Sequence, residues 1–406
     1  MYNGKMLHIL QTGDLHLGKI FYGISLIADQ KFVLEQILGI LKKSLGTKNE
    51  YHALFIAGDI YDKAIPSVEA VALFDDFLTQ LNSTLPNLPV FIISGNHDSA
   101  ARLSYASNFL KGQNIFIATD AKKITEPTIL CGSDGEKFAV YQIPFLQSGA
   151  LENTDGDRLS SQSDLLKEAV RRIEVAHKEN LKMKNLKAIL NAHLFVLGGA
   201  QSSSERIFIG NAELVEKSVF DFFDYVSVGH LHKGQKVSEK CYYAGSPLVY
   251  SFDEISVEKN FLDITLDEKS EQKISAKKIP VQPLHKTSCL KGKFEDFYRL
   301  DKNKNPELYE KRDDYIELTC TDPILIENPV AKLRENFPNI LSVKQEYFSK
   351  QNAKEISKRD FYENSENFSP SQIFENFASD VVPDFKIEEW QKEKEIFESM
   401  AKEIEI

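Results

Sequence analysis

Five short apolar runs recur along the first part of the chain, at Met6–Gln11, Ala53–Ala57, Val90–Ser94, Ala188–Ala192 and Tyr225–Val228. Each is four to six residues long and free of proline, as buried strands require. Between them the spacing becomes helical. Val33, Ile37 and Leu41 line one face, with Leu34 and Leu38 beside it. Val71, Phe74, Leu78 and Leu81 form a second stripe after Pro66-Ser67, and Leu166, Ala169, Val170 and Ile173 form a third. Strands alternating with helices predict an α/β layered domain.

The pattern changes after Phe261–Leu266. Ile279–Pro283 reads as a linker, and Lys291–Arg312 is charged and poor in apolar runs. Ile316, Leu318 and Cys320 alternate as in a half-exposed strand, followed by a helix around Val330–Phe337 and a strand near Ile340–Val343. This segment is expected to form a small α+β domain. From about Ser349 the composition turns charged and helical, with apolar faces at Ile373, Phe374 and Phe377 and at Trp390, Phe397, Met400 and Ile404. The expected organisation is therefore 1–280, 281–348 and 349–406, the last too small to build a core alone.

Composition narrows the class. The 406 residues suffice for two or three domains, and 42% hydrophobic with 27% charged residues excludes wholesale disorder. Met1–Asp14 matches neither a signal peptide nor an anchor, and no apolar stretch approaches the ~20 residues needed to span a bilayer. Cys131, Cys241, Cys289 and Cys320 lie far apart without CxxC pairing, the usage of reduced thiols. A soluble cytoplasmic protein is expected. The net charge of −11 counts at first against a nucleic-acid partner.

Candidate chemistry sits in the turns. Five of the nine histidines stand at or just past strand ends, in Gly13-Asp14-Leu15-His16, Gly95-Asn96-His97-Asp98, Asn191-Ala192-His193 and Gly229-His230-Leu231-His232, joined by Gly58-Asp59. In an α/β sheet the carboxyl ends of parallel strands share one edge, so these turns are expected to gather in one cleft. Imidazole, carboxylate and amide oxygen form a donor set suited to Mn²⁺, Fe²⁺ or Zn²⁺, and a carboxylate can bridge two ions. The alternating DxH and HxH spacing lets both side chains of a pair point to one side. A lone DxH or HxH is weak, but four such turns together predict a two-ion centre. His8, His52, His177 and His285 fall outside the set and read as structural.

In this order the motifs resemble the calcineurin-like metallophosphoesterases, Gly95-Asn-His-Asp98 being the most specific. Closer features resemble one branch, the nuclease subunits of bacterial SbcC–SbcD complexes, related to archaeal and eukaryotic double-strand-break repair nucleases. They are Gly58-Asp-Ile-Tyr-Asp62, Asp98 followed by Arg102-Leu103, His193–Gly199 before Ser203–Arg206, and Tyr243-Ala-Gly-Ser-Pro247. The likeness is close from about residue 6 to 255, looser through Glu327–Arg334 and Phe337–Asn339, and compositional around Ser369–Phe374.

The resemblance implies a four-layer metallophosphoesterase β-sandwich flanked by helices, with a small α+β capping domain and C-terminal helices. It places Asp14, His16 and His232 on a first metal ion and Asn96, His193 and His230 on a second, with Asp59 bridging and Mn²⁺ preferred. His97 is the implied leaving-group acid; Asp98 either orients the His97 ring or caps the following helix. Asp62 stands where the archaeal and eukaryotic branch has a histidine and the bacterial branch commonly an acid. The implied activity is nucleolytic, exonuclease on double-strand ends and endonuclease on single strands and hairpins. The implied partners are DNA, a second copy and an SbcC-type coiled-coil ABC ATPase docked on the C-terminal helices, in a nucleoid-associated heterotetramer. The chain has no GxxxxGK[ST] motif, so ATP dependence is assigned to that partner. A small-molecule phosphodiesterase acting on cyclic nucleotides or similar diesters is the alternative with the same metal set.

Overall fold

The computed structural model describes residues 6–133, 135–196, 215–267 and 270–346, with 374, 375, 378, 390–394, 396 and 397. The Ser203–Arg206 motif lies outside the described residues, as do most of the expected C-terminal helices.

In chain order, β1 (Met6–Thr12) leads to a small hairpin, β2 (Ile20–Phe21) and β3 (Ile24–Ser25), then α1 (Ile27–Ser44), β4 (Ala53–Ile56), α2 (Val68–Thr84) and β5 (Val90–Ile93). Two short helices, α3 (Ala100–Leu103) and α4 (Ser107–Lys111), precede β6 (Ile115–Ala118), β7 (Thr128–Cys131), β8 (Lys137–Ile143), α5 (Gln162–Glu179) and β9 (Lys187–His193). β10 (Tyr225–Gly229), β11 (Gln235–Lys236), β12 (Cys241–Tyr243), β13 (Asn260–Asp267) and β14 (Ile274–Pro280) follow. One six-stranded sheet has the order β14-β13-β1-β4-β5-β6 and the other β11-β12-β10-β9-β8-β7. β1, β4, β5 and β6 run parallel, as do β8, β9, β10 and β12. The added edge strands are antiparallel.

The pleat explains the layers. In β1 and β4, Leu7, Ile9, Ala53 and Phe55 face Phe138, Val140, Ile189 and Tyr225 of the other sheet, forming the core between the sheets. Their neighbours Leu10, Leu54 and Ile56 point the other way, onto α1 and α2. On the second sheet, Leu190, Ala192, Val226 and Val228 pack on Leu166, Ala169 and Ile173 of α5. The result is helix, sheet, sheet, helix, the expected four-layer sandwich.

Some details differ from the sequence reading. Val71 is 45% exposed, and Ala70, Leu73 and Phe77 share the buried face of α2 with Phe74, Leu78 and Leu81. Ser67 caps this helix by accepting from Ala70 N at 3.2 Å. Ile279-Pro280 is not linker but the end of β14, where an edge position tolerates proline. The helix around Val330–Phe337 is a single turn, α8 (Pro329–Leu333); Pro338 disfavours helix at Phe337, so it could not have reached that far.

The remaining strands, β15 (Thr287–Gly292), β16 (Tyr315–Cys320) and β17 (Ile340–Gln345), form a three-stranded sheet with β16 central, and α6 (Phe294–Tyr298) and α7 (Pro306–Glu310) lie between the first two in sequence. Two compact units divide the chain: Met1–Cys289 with Asp301–Glu317 and Phe337–Ser342, and Leu290–Leu300 with Leu318–Asn336 and Val343–Ile406. Within the second, Asn336 Nδ2 donates to the carbonyls of Phe297 and Tyr298 at 3.0 and 2.8 Å. Among the described residues no helix is long and apolar enough to cross a membrane.

Candidate metal centre

The carboxyl ends of β1, β4, β5, β9 and β10 carry all the turns singled out in the sequence. The turn after β1 runs beside the turn after β4: Asp14 N donates to Gly58 O at 3.0 Å and His16 N to Asp59 O at 2.9 Å. Asp14, His16 and Asp59 adopt left-handed conformations with φ of 51°, 45° and 47°, unusual for non-glycine residues. Close approach explains the glycines. A Cβ on Gly58 would meet His193 Nδ1 at 2.3 Å, and one on Gly95 would meet Asp59 Oδ1 at 2.1 Å.

Asp59 lies at the middle of the cluster. Its Oδ1 accepts from His97 N at 2.8 Å, and its Oδ2 lies 3.4 Å from His193 Nε2 and 3.7 Å from His16 Nε2. On one side, His16 Nε2 and His232 Nε2 face each other at 3.1 Å. His230 N donates to Asp14 Oδ1 at 2.8 Å, whereas Asp14 Oδ2 is buried without a hydrogen-bond partner. On the other side, Asn96 Oδ1 lies 2.9 Å from His193 Nε2 and 3.0 Å from His230 Nδ1. His193 Nδ1 donates to Ala57 O at 2.9 Å, so its Nε2 presents a lone pair to two acceptor oxygens.

That crowding of acceptors calls for positive charge. Either His193 is protonated or a cation lies among these atoms, and the orphaned Asp14 oxygen adds to the demand. The residues therefore fit divalent ions. Ligand atoms of Asp14, Asp59 and His193 come within 4.8 Å of one another, and so do those of His16, Asp59 and His97.

Electrostatics follows burial. Removal from water pushes the Asp14 carboxyl up to about 7. Burial also opposes ionisation of Asp59, but His193, His16 and His97 outweigh it and hold that carboxyl well below its ordinary range. His193 is desolvated, yet Asp59 and Asp14 raise it to about 9. Desolvation, with His193 nearby, lowers His230 to about 3, and burial takes His16 well below its usual value.

His97 and Asp98 lie beside this set. His97 Nδ1 donates to Asp62 O at 2.9 Å, and its ring meets that of His16 edge-on with centroids 4.7 Å apart. Asp98 does neither of the things left open by the sequence. Its carboxylate accepts from Ile60 N, Tyr61 N and Gly95 N at 3.0, 2.9 and 2.9 Å, lashing the turn after β4 to the turn after β5. The helix cap is Ser99, which accepts from Arg102 N.

Sequence reasoning missed Glu254, Lys259 and Tyr250. Glu254 Oε1 accepts from His232 Nδ1 at 3.2 Å and Glu254 Oε2 accepts from Lys259 Nζ at 2.6 Å. The Tyr250 ring packs edge-on against His16 and His232, and its hydroxyl donates to Leu15 O. None carries a local motif; only tertiary placement behind His232 reveals them. Asp62, noted as a departure, pairs with Lys19 Nζ at 2.9 Å.

The family model of calcineurin-like phosphoesterases matches residues 7–234. The chain is 32% identical over 385 residues to the SbcD subunit of the nuclease SbcCD of Staphylococcus epidermidis, covering 93% of this chain and 92% of that protein. A solved structure described as a 5'-nucleotidase of Staphylococcus aureus is 11% identical over 68% of this chain and 54% of that one, and its TM-score of 0.35 carries no argument. A matched domain spanning more than half the chain and a full-length relative agree: the chain belongs to the calcineurin-like phosphoesterases, within the family of SbcD nuclease subunits.

Proposed function

We propose that this chain is the Mn²⁺-dependent nuclease subunit of an SbcC–SbcD-type DNA repair complex. It acts as an exonuclease on double-strand ends and an endonuclease on single strands and hairpins. The observation that carries the reading is the convergence of Asp14, His16, Asp59 and Asn96, from turns of the first sheet, with His193, His230 and His232, from the second, rather than on the single sheet edge the sequence suggests.

Asp14, His16 and His232 are assigned to one ion and Asn96, His193 and His230 to the other, with Asp59 between them. When bound, two such ions neutralise charge on a phosphodiester and make water nucleophilic at neutral pH. The protein's own part begins with orientation. Asp98 sets the spacing between the turns that carry Asp59 and Asn96. Asp62 O fixes the His97 ring through Nδ1, so Nε2, when protonated, is the atom that delivers a proton to the leaving oxygen.

Residues 281–348 are assigned as the capping domain that selects duplex ends, and the C-terminal helices as the dock for a coiled-coil ABC ATPase in helix-in-groove fashion. Phe374 and Phe397, whose rings lie 5.6 Å apart, belong to that segment. A second copy of the chain completes the assembly, a cytoplasmic heterotetramer.

The test compares Mn²⁺-dependent cleavage of blunt duplexes and hairpins with that of cyclic nucleotides and aryl diesters. Preference for DNA is expected, and His97→Ala should keep both ions while losing at least about 100-fold in rate. Efficient turnover of cyclic nucleotides with inert duplexes would make the chain a small-molecule phosphodiesterase instead.

A further inference from the structure

The centre is assembled from two halves that belong to different sheets. β1, β4 and β5 of the first sheet end in the turns of Asp14, His16, Asp59 and Asn96. β9 and β10 of the second end at His193 and in the turn of His230 and His232. Between the sheets lie apolar side chains such as Ile9, Phe91, Val140 and Ile189. Their contact is favourable but non-directional, whereas a binding site needs its groups placed to about half an ångström. Something directional must fix one sheet against the other.

One step nearer the centre, the same inter-sheet faces turn polar. Gln11 continues the alternation of Leu7 and Ile9 on β1 and is fully buried. Its Nε2 donates to Tyr242 O of β12 at 2.9 Å, and its Oε1 accepts from the Tyr225 hydroxyl of β10. Both partners belong to the second sheet. Gln142 continues the alternation of Phe138 and Val140 on β8 and reaches the opposite way. Its Nε2 donates to Ile92 O of β5 at 2.9 Å and to Phe116 O of β6 at 3.3 Å. The strands so joined lead to the ligands. Gln11 stands three residues before Asp14 and Ile92 four before Asn96, Tyr225 opens the strand that ends before His230, and β8 pairs with β9, whose last residue is His193. A methionine would fill much the same space without the desolvation that a buried amide costs, so burial alone does not call for glutamine; the cross-sheet hydrogen bonds do.

We infer that Gln11, with Tyr225, and Gln142 are positioning residues, two cross-sheet clamps that set the register of the sheets and so bring the two halves of the metal centre to binding distance. The inference rests on the two-ion reading of the centre. Its consequence is that loss of a clamp loosens the ions and slows hydrolysis beyond what the accompanying loss of stability explains.

The experiment titrates the metal-stripped full-length chain with Mn²⁺, counts free ion by its paramagnetic resonance, and follows hydrolysis of an aryl diester and urea unfolding alongside. Gln11→Met combined with Tyr225→Phe removes both ends of one clamp, so that no hydroxyl is left orphaned. Gln142→Met removes the other clamp, and it gives the answer where the double variant does not fold. Each should bind Mn²⁺ about tenfold or more weakly and lose at least about tenfold in rate. Val140→Ala is the control: it takes apolar contact from the same interface, and it should lower the urea midpoint while Mn²⁺ affinity stays within about twofold of wild type. Clamp variants that keep wild-type affinity, or lose no more of it than Val140→Ala does, would overturn the inference and spare the two-ion reading. A wild-type stoichiometry below two would overturn that reading and the inference with it.

Discussion

Asp59 occupies its place at a conformational cost. It and its neighbours Asp14 and His16 hold left-handed backbone angles that cost on the order of 1 kcal/mol or more each. The surrounding turns enforce them through Asp14 N to Gly58 O and His16 N to Asp59 O. Gly95 is the tightest point, because a Cβ there would press on both Asp59 Oδ1 and Asp59 N, at 2.1 and 2.4 Å. Gly95→Ala should displace the central carboxylate, cost about 100-fold in nuclease rate and abolish two-ion binding, while far-ultraviolet dichroism stays native. Wild-type stoichiometry in that variant would remove Asp59 from the middle of the site. The ligand types were readable in the sequence because each sits in a short Gly- or Asn-containing turn. Glu254 was not, because its partner His232 comes from a different turn and only the fold brings them together.

At the scale of elements, legibility tracked burial. β1, β4, β5, β9 and β10 are buried throughout or nearly so, which is why they stand out as apolar runs. The edge strands β7 and β14 hold few buried positions and leave a weak pattern, so Ile279-Pro280 reads as linker in sequence. On α2 the stripe that spacing predicts is rotated from the buried face, since Val71 matches the spacing as well as Leu73 and Phe77 do. Helix α5 carries a separate electrostatic feature: Glu168 accepts from Arg171 at 2.7 Å and from Arg172 at 2.8 Å, one turn on. The Arg171 hydrogen bond, aided by Arg172, lowers the Glu168 carboxyl from 4.5 to about 2. A depressed carboxylate stabilises the fold above its unfolded value and loses that contribution as pH falls through the folded one. Both arginines are partly exposed and screened, so Glu168→Gln should cost about 1 kcal/mol at pH 7. In urea unfolding the gap to wild type should narrow between pH 4.5 and 2; a gap constant with pH would mean packing, not charge, is lost.

Over the whole molecule, the acidic balance no longer counts against a DNA substrate. Residues 351–406 hold 7 basic and 14 acidic side chains, a net −7 of the total −11, leaving −4 for the rest. Two divalent ions in the proposed centre would neutralise that remainder, so the chain alone should bind duplex weakly and a partner should add affinity. The charge is concentrated in the segment assigned to the ATPase. Deleting residues after 365 should leave hydrolysis of a small diester within about twofold, while co-purification with a coiled-coil ATPase is lost. A truncated chain that still holds the ATPase would place the dock elsewhere.

The central claim is that two ions flank Asp59 and that His97 binds neither. His97 lies close enough to His16 and Asp59 for their ligand atoms to form a rival group within 4.8 Å, so the question is a real one. Anomalous scattering at the manganese edge from crystals grown with Mn²⁺ answers it directly. The account predicts two peaks, one among Asp14, His16 and His232 and the other among Asn96, His193 and His230, sharing Asp59. A single peak, or one bonded to His97, would contradict it.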